Sequence, residues 1–471
     1  MAAAAIVLAL LAAPVQPADA ASPATSSGTP PACDRSLQSL IDAAPAGSTL
    51  VAPACTYREA VTIDKPLDLQ GPGAVIDGRA PNGTVVRDTW LVVAASDVTV
   101  SGFAMRYADN QPQTGALRVA PGVSRVTISD CDLGFAAGAD VSFGEADSVT
   151  LRHCDVHDAG QLGVHLGGDG EHGQGNQVID NHIHGNNTAG YDPEWEAGGL
   201  KATRQSGLVV SGNEIDDNHG PGVWCDIYCT NVTISRNAIH DNTHAGILFE
   251  VSTGARIDDN SVWGNGWGKP TWAWGAGILL SSSGKAEVDH NVIAWNATGI
   301  GVISQDRQDW QHDATGNFVH DNVIVADPDR YLLAWVQDWD GELFGADSGN
   351  HGQGDRFWVG QAEPSGLRFA WDGDRATLAD LEGTPGESGG SYVDDGTKDQ
   401  LLTAAGVPGA ATASDRPAPG TSLPERAFAR YWPVALVLAL LAVAGGLLVS
   451  VLLVRRRRRL AAARATSDST R

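Results

Sequence analysis

Pairs of asparagines recur along this chain at nearly regular intervals. The first member of each pair is followed five residues later by the second, giving Asn181, Asn213, Asn237, Asn260, Asn291 and Asn317, then Asn186, Asn218, Asn242, Asn265, Asn296 and Asn322. The shortest intervals between first members are 24 and 23 residues. A repeat of this length with short apolar runs is typical of one coil of a parallel β-helix. Equivalent residues of successive coils then stack about 4.8 Å apart, so the repeat predicts which side chains are neighbours.

The two ends of the chain differ from the repeats in composition. Residues 1–20 contain an apolar run and finish on Ala18-Asp19-Ala20, a small-residue cleavage pattern that is typical of a secretory signal peptide. Residues 433–454 are apolar, uncharged and long enough to span a bilayer. Five arginines, 455–459, open the tail of residues 455–471 and favour a cytoplasmic location for it. We therefore expect a single-pass protein of the cell membrane with its body outside the cell.

The segments between these ends suggest a β-helix that is covered at both ends. A Ser/Thr/Pro-rich linker occupies residues 21–32, and the coils are predicted for residues 33–326. An amphipathic helix near residues 36–44 would cover the open strand edges of the first coil. Residues 327–408 lose the repeat and gain aromatic residues, which indicates an irregular C-terminal cap. An Ala/Pro-rich stalk, residues 409–432, would lead to the membrane.

Net charge and cysteine content limit the partners and the compartment. The formal charge of −25 argues against nucleic acid and, less strongly, against an unaided polyanionic substrate. Six cysteines in an exported chain predict three disulfides. Cys131 and Cys154 are 23 residues apart at equivalent positions, so stacking would bring them within bridging distance. The pairs Cys33–Cys55 and Cys225–Cys229 then follow by elimination.

Several short segments resemble a known superfamily. Residues 43–49 (Ala-Ala-Pro-Ala-Gly-Ser-Thr), 57–67 (Tyr-Arg-Glu-Ala-Val-Thr-Ile-Asp-Lys-Pro-Leu) and 75–78 (Val-Ile-Asp-Gly) resemble the opening of the pectin-lyase-like superfamily. The Gly-Asn-x-Ile and Asn-x-Ile-x-x-Asn coils are similar to its right-handed β-helix repeats. The resemblance covers roughly residues 35–400 and implies an all-β, right-handed parallel β-helix. It implies no single reaction, because the superfamily includes lyases, hydrolases, epimerases and non-catalytic adhesins.

One strand of each coil presents a polar outer face. In segments such as Gly222-Val-Trp-Cys-Asp226, the first and third residues after glycine are apolar, so the second and fourth point outward. The second position gives the column Arg118, Asp140, His165, Lys201, Trp224, Leu248 and Leu279. The fourth gives Ser142, Gly167, Thr203, Asp226, Glu250 and Ser281.

The most reactive pair in these columns is Asp226 and Glu250. Two neighbouring carboxylates resist joint ionisation, which leaves one acid and one base at neutral pH, as hydrolysis of a glycosidic bond requires. A separation of about 5 Å would favour a retaining mechanism, whereas splayed side chains would allow inversion. We predict these two residues as catalytic, assisted by Lys201 and His165. The simpler alternative is a solvated, acidic strand face without chemistry.

Two long loops precede this strand at the same corner and should rim the same face. They are residues 187–197 and 264–274. Together with Trp224 on the strand, their aromatic side chains form a predicted sugar-binding set: Tyr191, Trp195, Trp267, Trp272 and Trp274.

A second constellation overlaps the first. Glu194, Glu196 and Lys201 resemble the Glu-x-Glu-x-x-x-x-Lys arrangement of the alginate lyase and chondroitinase B family. That resemblance implies Glu194 and Glu196 as Ca²⁺ ligands and Lys201 as the base. The family also needs an arginine about one coil further on, where this chain has Trp224 or Asp226.

The sequence therefore predicts a cell-surface protein that cleaves an extracellular or cell-envelope polysaccharide, by hydrolysis with paired carboxylates. Calcium-assisted β-elimination with Lys201 as base is the alternative within enzymes. A glycan-binding or adhesive surface protein without turnover is the alternative outside them.

Overall fold

A computed structural model describes residues 30–270, 273–305, 307, 314–327, 330–337, 342–360 and 368–410. The predicted signal peptide, most of the linker, nearly all of the stalk, the predicted membrane span and the tail lie outside these ranges. Within them, no helix combines the length and the apolar character needed to cross a membrane.

Short strands dominate the described chain. In the first half they are β1 (Thr49–Val51), β2 (Thr56–Tyr57), β3 (Val61–Ile63), β4 (Leu67–Asp77), β5 (Leu91–Val93), β6 (Val98–Ala108), β7 (Gly115–Val119), β8 (Ser124–Ser129), β9 (Asp132–Ala136), β10 (Ala139–Ser142), β11 (Asp147–Arg152), β12 (Asp155–His157), β13 (Leu162–Gly167), β14 (Gln177–Ile179), β15 (His182–His184), β16 (Gly198–Thr203), β17 (Val209–Ser211) and β18 (Glu214–Asp216).

The second half continues in the same way and adds two helices to the N-terminal α1 (Leu37–Ala43). The elements are β19 (Val223–Asp226), β20 (Thr230–Ser235), β21 (Ala238–His240), β22 (Ile247–Glu250), β23 (Thr253–Asp258), β24 (Ser261–Trp263), β25 (Ala276–Ser281), β26 (Gly284–Asp289), β27 (Val292–Ala294), β28 (Thr298–Ser304), β29 (Phe318–His320), β30 (Val323–Ala326), β31 (Leu333–Gln337), β32 (His351–Gln353), β33 (Arg356–Val359), β34 (Phe369–Trp371), β35 (Asp374–Arg375), α2 (Leu378–Glu382), β36 (Ser391–Tyr392) and α3 (Asp395–Ala404).

Each coil contributes three strands, and equivalent strands of successive coils pair in parallel. One sheet, which we call the cleft sheet, has the order β3-β5-β7-β10-β13-β16-β19-β22-β25-β28-β31-β34-β35. The remaining strands form two further stacks, which the long strands β4 and β6 join into one sheet of 23 strands; we call it the outer sheet. At the C-terminal end β34 and β35 pair antiparallel. The predicted parallel β-helix is thus confirmed.

The interior is a stack of apolar columns. Val164, Leu200, Val223, Ile247 and Ile278 succeed one another on the cleft sheet, and each is at most 1% exposed. Burying a side chain of this size contributes about 1.5–3 kcal/mol relative to exposure. The period-2 alternation of the strands therefore fixes which residues remain outside.

The paired asparagines form two buried ladders at the corners. The Asn237 Oδ1 atom accepts hydrogen bonds from both the Asn213 backbone N–H (3.0 Å) and the Asn213 side-chain amide (2.9 Å). The Asn237 amide in turn donates to Asn260 Oδ1 at 2.9 Å and to the Val210 carbonyl at 3.0 Å. Each amide thus satisfies backbone groups that the turn leaves unpaired, which stabilises the corner of every coil.

Both ends of the β-helix are covered. The helix α1 places Leu37 and Ile41 in the core, and its N-terminus is capped by Ser36. At the other end, strand stacking continues beyond the predicted boundary at residue 326, through β31 to β34. Long insertions hide the repeat there, which is why the sequence pattern ends too early. The helices α2 and α3 follow this last coil.

The six cysteines do not all pair. Cys33 and Cys55 form the predicted disulfide, with an S–S distance of 2.07 Å. Cys131 and Cys154 precede paired residues of adjacent strands, as the repeat predicts, but both are buried free thiols. Their sulfur atoms lie against the carbonyls of Ser129 and Arg152, at 3.1 and 3.3 Å. Cys225 and Cys229 are likewise buried and free, so the predicted disulfides of these four cysteines are absent from the structure.

Candidate functional site

The cleft sheet presents the predicted outward columns in the predicted register. His165, Lys201, Trp224, Leu248 and Leu279 are successive partners across five strands. In the other column, Thr203 pairs with Asp226, and Glu250, on the next strand, pairs with Ser281. Asp226 and Glu250 follow directly on the paired residues Cys225 and Phe249, so the two carboxylates occupy neighbouring strands.

The prediction was wrong for one strand, β10. Ser142 pairs with both Arg118 and His165 and so belongs to their column. Asp140 is fully buried, and its Oδ1 atom accepts a hydrogen bond from the Ala136 N–H at 3.1 Å. Burial raises the pKa of the Asp140 carboxyl well above its ordinary value. The Asp140 carboxyl group therefore stabilises the corner of its own coil by accepting a hydrogen bond from a backbone N–H.

A cleft of about 290 Å³ lies over this face. Its floor comes from β19, β22 and β25, and its walls come from the corners and loops at either side. The lining residues are Trp224, Leu248, Glu250 and Leu279 in the floor, with Pro193, Glu194, Pro221, His244, Ala245, Lys269, Trp274, Gln305 and Arg307 around it. The two loops singled out in the sequence thus both reach the cleft.

Glu250 is the acidic group of the cleft floor. Its side chain accepts a hydrogen bond from Trp224 Nε1 at 3.0 Å and forms an ion pair with Arg307. Only 8% of the residue is exposed, and burial raises the pKa of its carboxyl above the ordinary range. The neighbouring Asp226 raises this pKa further, whereas Arg307 and the Trp224 hydrogen bond lower it. The balance favours a Glu250 that holds its proton more tightly than an exposed glutamate does.

Asp226 is held by a cation instead. Lys201 Nζ lies 3.0 Å from Asp226 Oδ2, 2.5 Å from the Trp195 carbonyl oxygen and 3.5 Å from the centre of the Trp224 ring. Both partners of this ion pair are nearly buried. The Lys201 ammonium group therefore contacts a carboxylate, a carbonyl oxygen and the face of an aromatic ring.

Histidines lie in two separate places on this face. His165 belongs to a neighbouring cleft with Arg118 and Ser142, not to the cleft of Glu250. Burial lowers the pKa of His165 to about 4, so its imidazole is neutral at pH 7. His244 does line the cleft of Glu250, and burial likewise lowers its pKa to about 4. The strand pattern does not indicate His244, although this residue precedes its strand at the same corner as the long loops.

Of the aromatic residues predicted to bind sugar, two line the cleft. Trp224 forms the floor and Trp274 a wall. Trp195 is 70% exposed above the Lys201 contact, and Tyr191 is half-buried in the same loop. Trp267 donates a hydrogen bond to the Trp295 carbonyl at 3.0 Å and is not a cleft residue. Trp272 lies outside the described residues.

The two glutamates of the predicted calcium site are not brought together. Glu194 forms an ion pair with Lys269 at 2.6 Å, which joins the two loops at the cleft rim. Glu196 accepts hydrogen bonds from the side-chain amides of Gln161 (3.1 Å) and Gln113 (3.4 Å). In the described part of the chain, the side-chain groups arranged for a metal ion lie elsewhere and include neither glutamate.

Comparison with known proteins identifies the architecture. Residues 119–293 match the family described as the right-handed β-helix region. These coils therefore form a right-handed parallel β-helix. The fold that the resemblance to the pectin-lyase-like superfamily implies is thereby confirmed. Among curated proteins, no sequence matches it significantly.

Several solved structures are similar to this chain. XylC in complex with xylose is 12% identical with a TM-score of 0.55, over 72% of this chain and 83% of that one. The A-module of the Azotobacter vinelandii mannuronan C-5 epimerase AlgE4 is 14% identical over 71% and 94%, with a TM-score of 0.46. The DFA-IIIase of Arthrobacter chlorophenolicus A6, in complex with DFA-III, is 13% identical over 74% and 87%, with a TM-score of 0.38. At these identities the XylC similarity shows the fold alone.

The function of this right-handed β-helix must therefore be argued from its own cleft. Glu250, whose carboxyl has a raised pKa, lines the cleft, whereas the ion-paired Asp226 stands on the adjacent strand and is not among the lining residues. Arg307 lies 57 residues from its partner Glu250 along the chain, and no repeat position predicts such a contact. The arrangement can donate a proton, stabilise a developing positive charge and hold a flat ring against tryptophan.

Proposed function

We propose that the cleft binds a glycan and hydrolyses a glycosidic bond, with Glu250 as proton donor and Asp226, which is paired with Lys201, as the second carboxyl group. The observation that carries the proposal is the difference between the environments of these two adjacent carboxyl groups. Burial raises the pKa of Glu250, while Lys201 compensates the charge of Asp226. Two carboxyl groups whose surroundings separate their protonation states are the requirement for acid-assisted glycoside cleavage.

The strand spacing suggests the stereochemical outcome. The two residues stand on adjacent parallel strands, whose backbones lie about 4.8 Å apart. Carboxyl groups about 5–5.5 Å apart favour a covalent glycosyl-enzyme intermediate and retention of configuration, because no water fits between them. Asp226 would then act as nucleophile. NMR of the first-formed anomer would test this assignment.

The glycan would lie against Trp224 and Trp274. The Trp224 ring is already polarised by Lys201 on one side and donates its N–H to Glu250, so ring and acid are held together. Leu248 and Leu279 complete an apolar floor that excludes water from Glu250. On a protein anchored by the predicted span at residues 433–454, the substrate would be an extracellular or cell-envelope polysaccharide.

The deciding experiment is turnover by the full-length chain on a panel of neutral and acidic glycans. New reducing ends and the ultraviolet absorbance of unsaturated uronates would be followed together, with and without calcium. We expect reducing ends without absorbance, and a loss of turnover of about 10²–10⁴-fold in both Glu250→Gln and Asp226→Asn. Glycan binding should persist in both variants, and the control Glu171→Gln, in an exposed turn, should keep full activity.

A second candidate is glycan binding without turnover. Both carboxylates already face a cation, Lys201 or Arg307, as in a purely structural pair of salt bridges. In that case no glycan of the panel would yield a product, and Trp224→Phe or Trp274→Ala would weaken binding. Binding with no product in the wild-type chain would decide for this candidate.

β-Elimination with Lys201 as base has less support. The Lys201 ammonium group contacts Asp226, the Trp195 carbonyl and the Trp224 ring, and Lys201 is not among the residues that line the cleft. The predicted calcium ligands Glu194 and Glu196 have different partners. A product that absorbs in the ultraviolet and requires calcium would nevertheless decide for elimination and against the Glu250 proposal.

A further inference from the structure

The outer sheet carries a compact group of imidazole and carboxylate side chains far from the residues of the cleft floor. Strands β12, β15 and β18 stack in register, with Asp155 beside His182 and His182 beside Glu214. Two residues further along each strand, His184 lies beside Asp216. Residues two apart on a strand share a face, so His182 and His184 both point outward from β15. We call these five residues the histidine–carboxylate cluster.

The cluster is held by contacts between imidazole and carboxylate. Asp155 Oδ1 lies 3.0 Å from His184 Nε2 and 3.7 Å from His182 Nδ1. The other nitrogen of His182, Nε2, lies 2.8 Å from Asp216 Oδ1. The side chains of Asp155, His182 and His184 are 46%, 35% and 30% exposed, so an ion from solvent has direct access.

The carboxylates of the cluster have no arginine or lysine partner among the described residues. Asp155 and Asp216 form ion pairs with the histidines of the cluster, and Glu214 with His240. A similar group, Glu287, Asp289 and His320, differs in this respect, because Arg256 lies 3.1 Å from Glu287 and 2.9 Å from Asp289. In that second group the Arg256 guanidinium already pairs with the carboxylates that would ligate a metal ion.

We propose that Asp155, His182 and His184 bind a divalent transition-metal ion of the Zn²⁺ type, with water completing its shell and Asp216 holding the other imidazole nitrogen of His182. Zinc bonds to imidazole nitrogen and carboxylate oxygen are about 2.0–2.2 Å long, which places the ligand atoms of a tetrahedral site about 3.4 Å apart. The O–N distances of 3.0 and 3.7 Å bracket this value. The candidate ligand atoms of these three residues all lie within 4.8 Å of one another.

The imidazole rings must turn slightly on binding. The rings of His182 and His184 are stacked, with centroids 4.0 Å apart and an angle of 18° between their planes. A metal ion lies close to the plane of each ring that ligates it, so the two rings would splay apart. Their outward position on the strand and their partial exposure leave room for this rotation.

Binding at this place would join adjacent coils. Asp155 belongs to β12, whereas both histidines belong to β15. An ion held by both strands binds the folded state alone, so it raises the free energy of unfolding by RT ln(1 + [metal]/Kd). The site is therefore structural in effect and independent of the glycan cleft.

The test uses the full-length chain after treatment with a chelator, with Co²⁺ as a spectroscopic probe and Zn²⁺ as competitor. We expect one Co²⁺ per chain with an absorption spectrum of tetrahedral type, displaced by Zn²⁺, and a higher melting temperature with Zn²⁺. His182→Gln and His184→Gln should each weaken binding by a factor of about ten or more. Asp155→Asn keeps both imidazoles and should also weaken it.

The matched control is His290→Gln. His290 is also on the outer sheet side and also bonded to a carboxylate, Asp289, at 2.8 Å, but it lies outside the cluster. This variant should bind Co²⁺ like the wild type. No saturable binding by the wild-type chain, or binding that survives all three cluster substitutions, would overturn the proposal. So would a loss in His290→Gln equal to that in His182→Gln.

Discussion

The asparagine ladders and the outward column of the cleft are both stacks of polar side chains with little exposure to solvent, yet they differ in how their hydrogen-bonding capacity is used. The Asn237 side chain has two N–H donors and one acceptor oxygen, and all of them bond to the two neighbouring coils. Glu250 has one ion-pair partner and one hydrogen-bond donor, and it faces a cavity. We call the ladder a closed column because its side chains use all their hydrogen-bonding groups within the protein. The cleft column is open, because Glu250 can still bind a ligand.

The ladders and the cleft column also differ in whether the residue type repeats from coil to coil. In the ladders the same residue type recurs at each coil, because each coil presents the same unpaired backbone groups. In the cleft column histidine, lysine, tryptophan and leucine succeed one another from β13 to β22, so the residue type changes at each of these steps. A chemical site in a β-helix is thus expected where stacking continues but the residue type changes.

The largest expected effect comes from opening the ladder. Asn237→Ala would remove the acceptor of the buried Asn213 N–H and one acceptor of the Asn213 side-chain amide, and each unpaired group costs about 1–3 kcal/mol. We expect the free energy of unfolding to fall by about 3 kcal/mol or more in denaturant titrations. The control Asn82→Ala, in an exposed turn, should change it by less than about 0.5 kcal/mol. Equal stability of the two variants would abolish the distinction between closed and open columns.

One of the closed columns ends in a carboxyl group, so the effect of pH on a closed column can be tested. Asp355 ends the second ladder, where it accepts hydrogen bonds from the Asn322 N–H and side-chain amide, and it lies beside Glu387. Both carboxyl groups are fully buried. Burial and the charge of Asp355 raise the pKa of Glu387 from 4.5 to about 9. The two groups are best satisfied when one proton is shared between them.

The sign of the pH effect follows from this raised pKa. The contribution of Glu387 to stability is complete below about pH 4.5 and is lost as the pH rises towards 9. Glu387→Gln stays neutral, so at pH 8 it should be more stable than the wild type by at least about 1 kcal/mol, with a smaller difference at pH 4.5. Melting temperatures at both pH values would show this. The exposed Glu382→Gln should follow the wild-type profile; identical profiles for all three proteins would refute the shared proton.

The smallest effect is expected at the exposed rim of the cleft. Trp195→Ala removes a side chain that is 70% exposed, so the free energy of unfolding should change by less than about 0.5 kcal/mol. The contact with Lys201 uses the main-chain carbonyl and survives the substitution. Affinity for the glycan found in the panel should fall about two- to fivefold, or about 0.5–1 kcal/mol. Trp263→Ala, on the outer sheet, should leave the affinity for the glycan unchanged. An equal loss of affinity in Trp263→Ala would show that the effect of Trp195→Ala does not come from a contact at the cleft.

The sequence predicts the stack well because the repeat states which residues are neighbours. Lys201, Trp224, Asp226 and Glu250 lie where the period places them. The prediction for Asp140 was wrong because this residue stands at the strand position that glycine occupies in other coils. Its carboxyl group accepts a hydrogen bond from a backbone N–H there, as the side chains of the ladder asparagines do elsewhere. Stacking also brings Cys131 and Cys154 to equivalent positions, but equivalent position does not by itself form a bond between sulfurs.

The cleft walls could not be predicted in the same way. Arg307 and Lys269 come from loops whose lengths break the period, so the repeat carries no information about their partners. The two glutamates of the predicted calcium site share a loop, yet one turns to Lys269 and the other to Gln161. Loop conformation depends on such individual contacts, which no spacing in the sequence records.

The ladder amides of Asn213 and Asn237 bond to the coils on either side of them, and this has a consequence for how such a molecule can change over generations. The interval from Asn213 to Asn237 is a complete coil of 24 residues, with the same hydrogen bonds above and below it. Gain or loss of an entire coil would leave every remaining amide with a partner. The outward column would nevertheless change at that point: after loss of this coil, Lys201 would face Leu248 in place of Trp224. A single in-frame duplication or deletion can thus exchange the chemistry of the surface while the interior stays continuous.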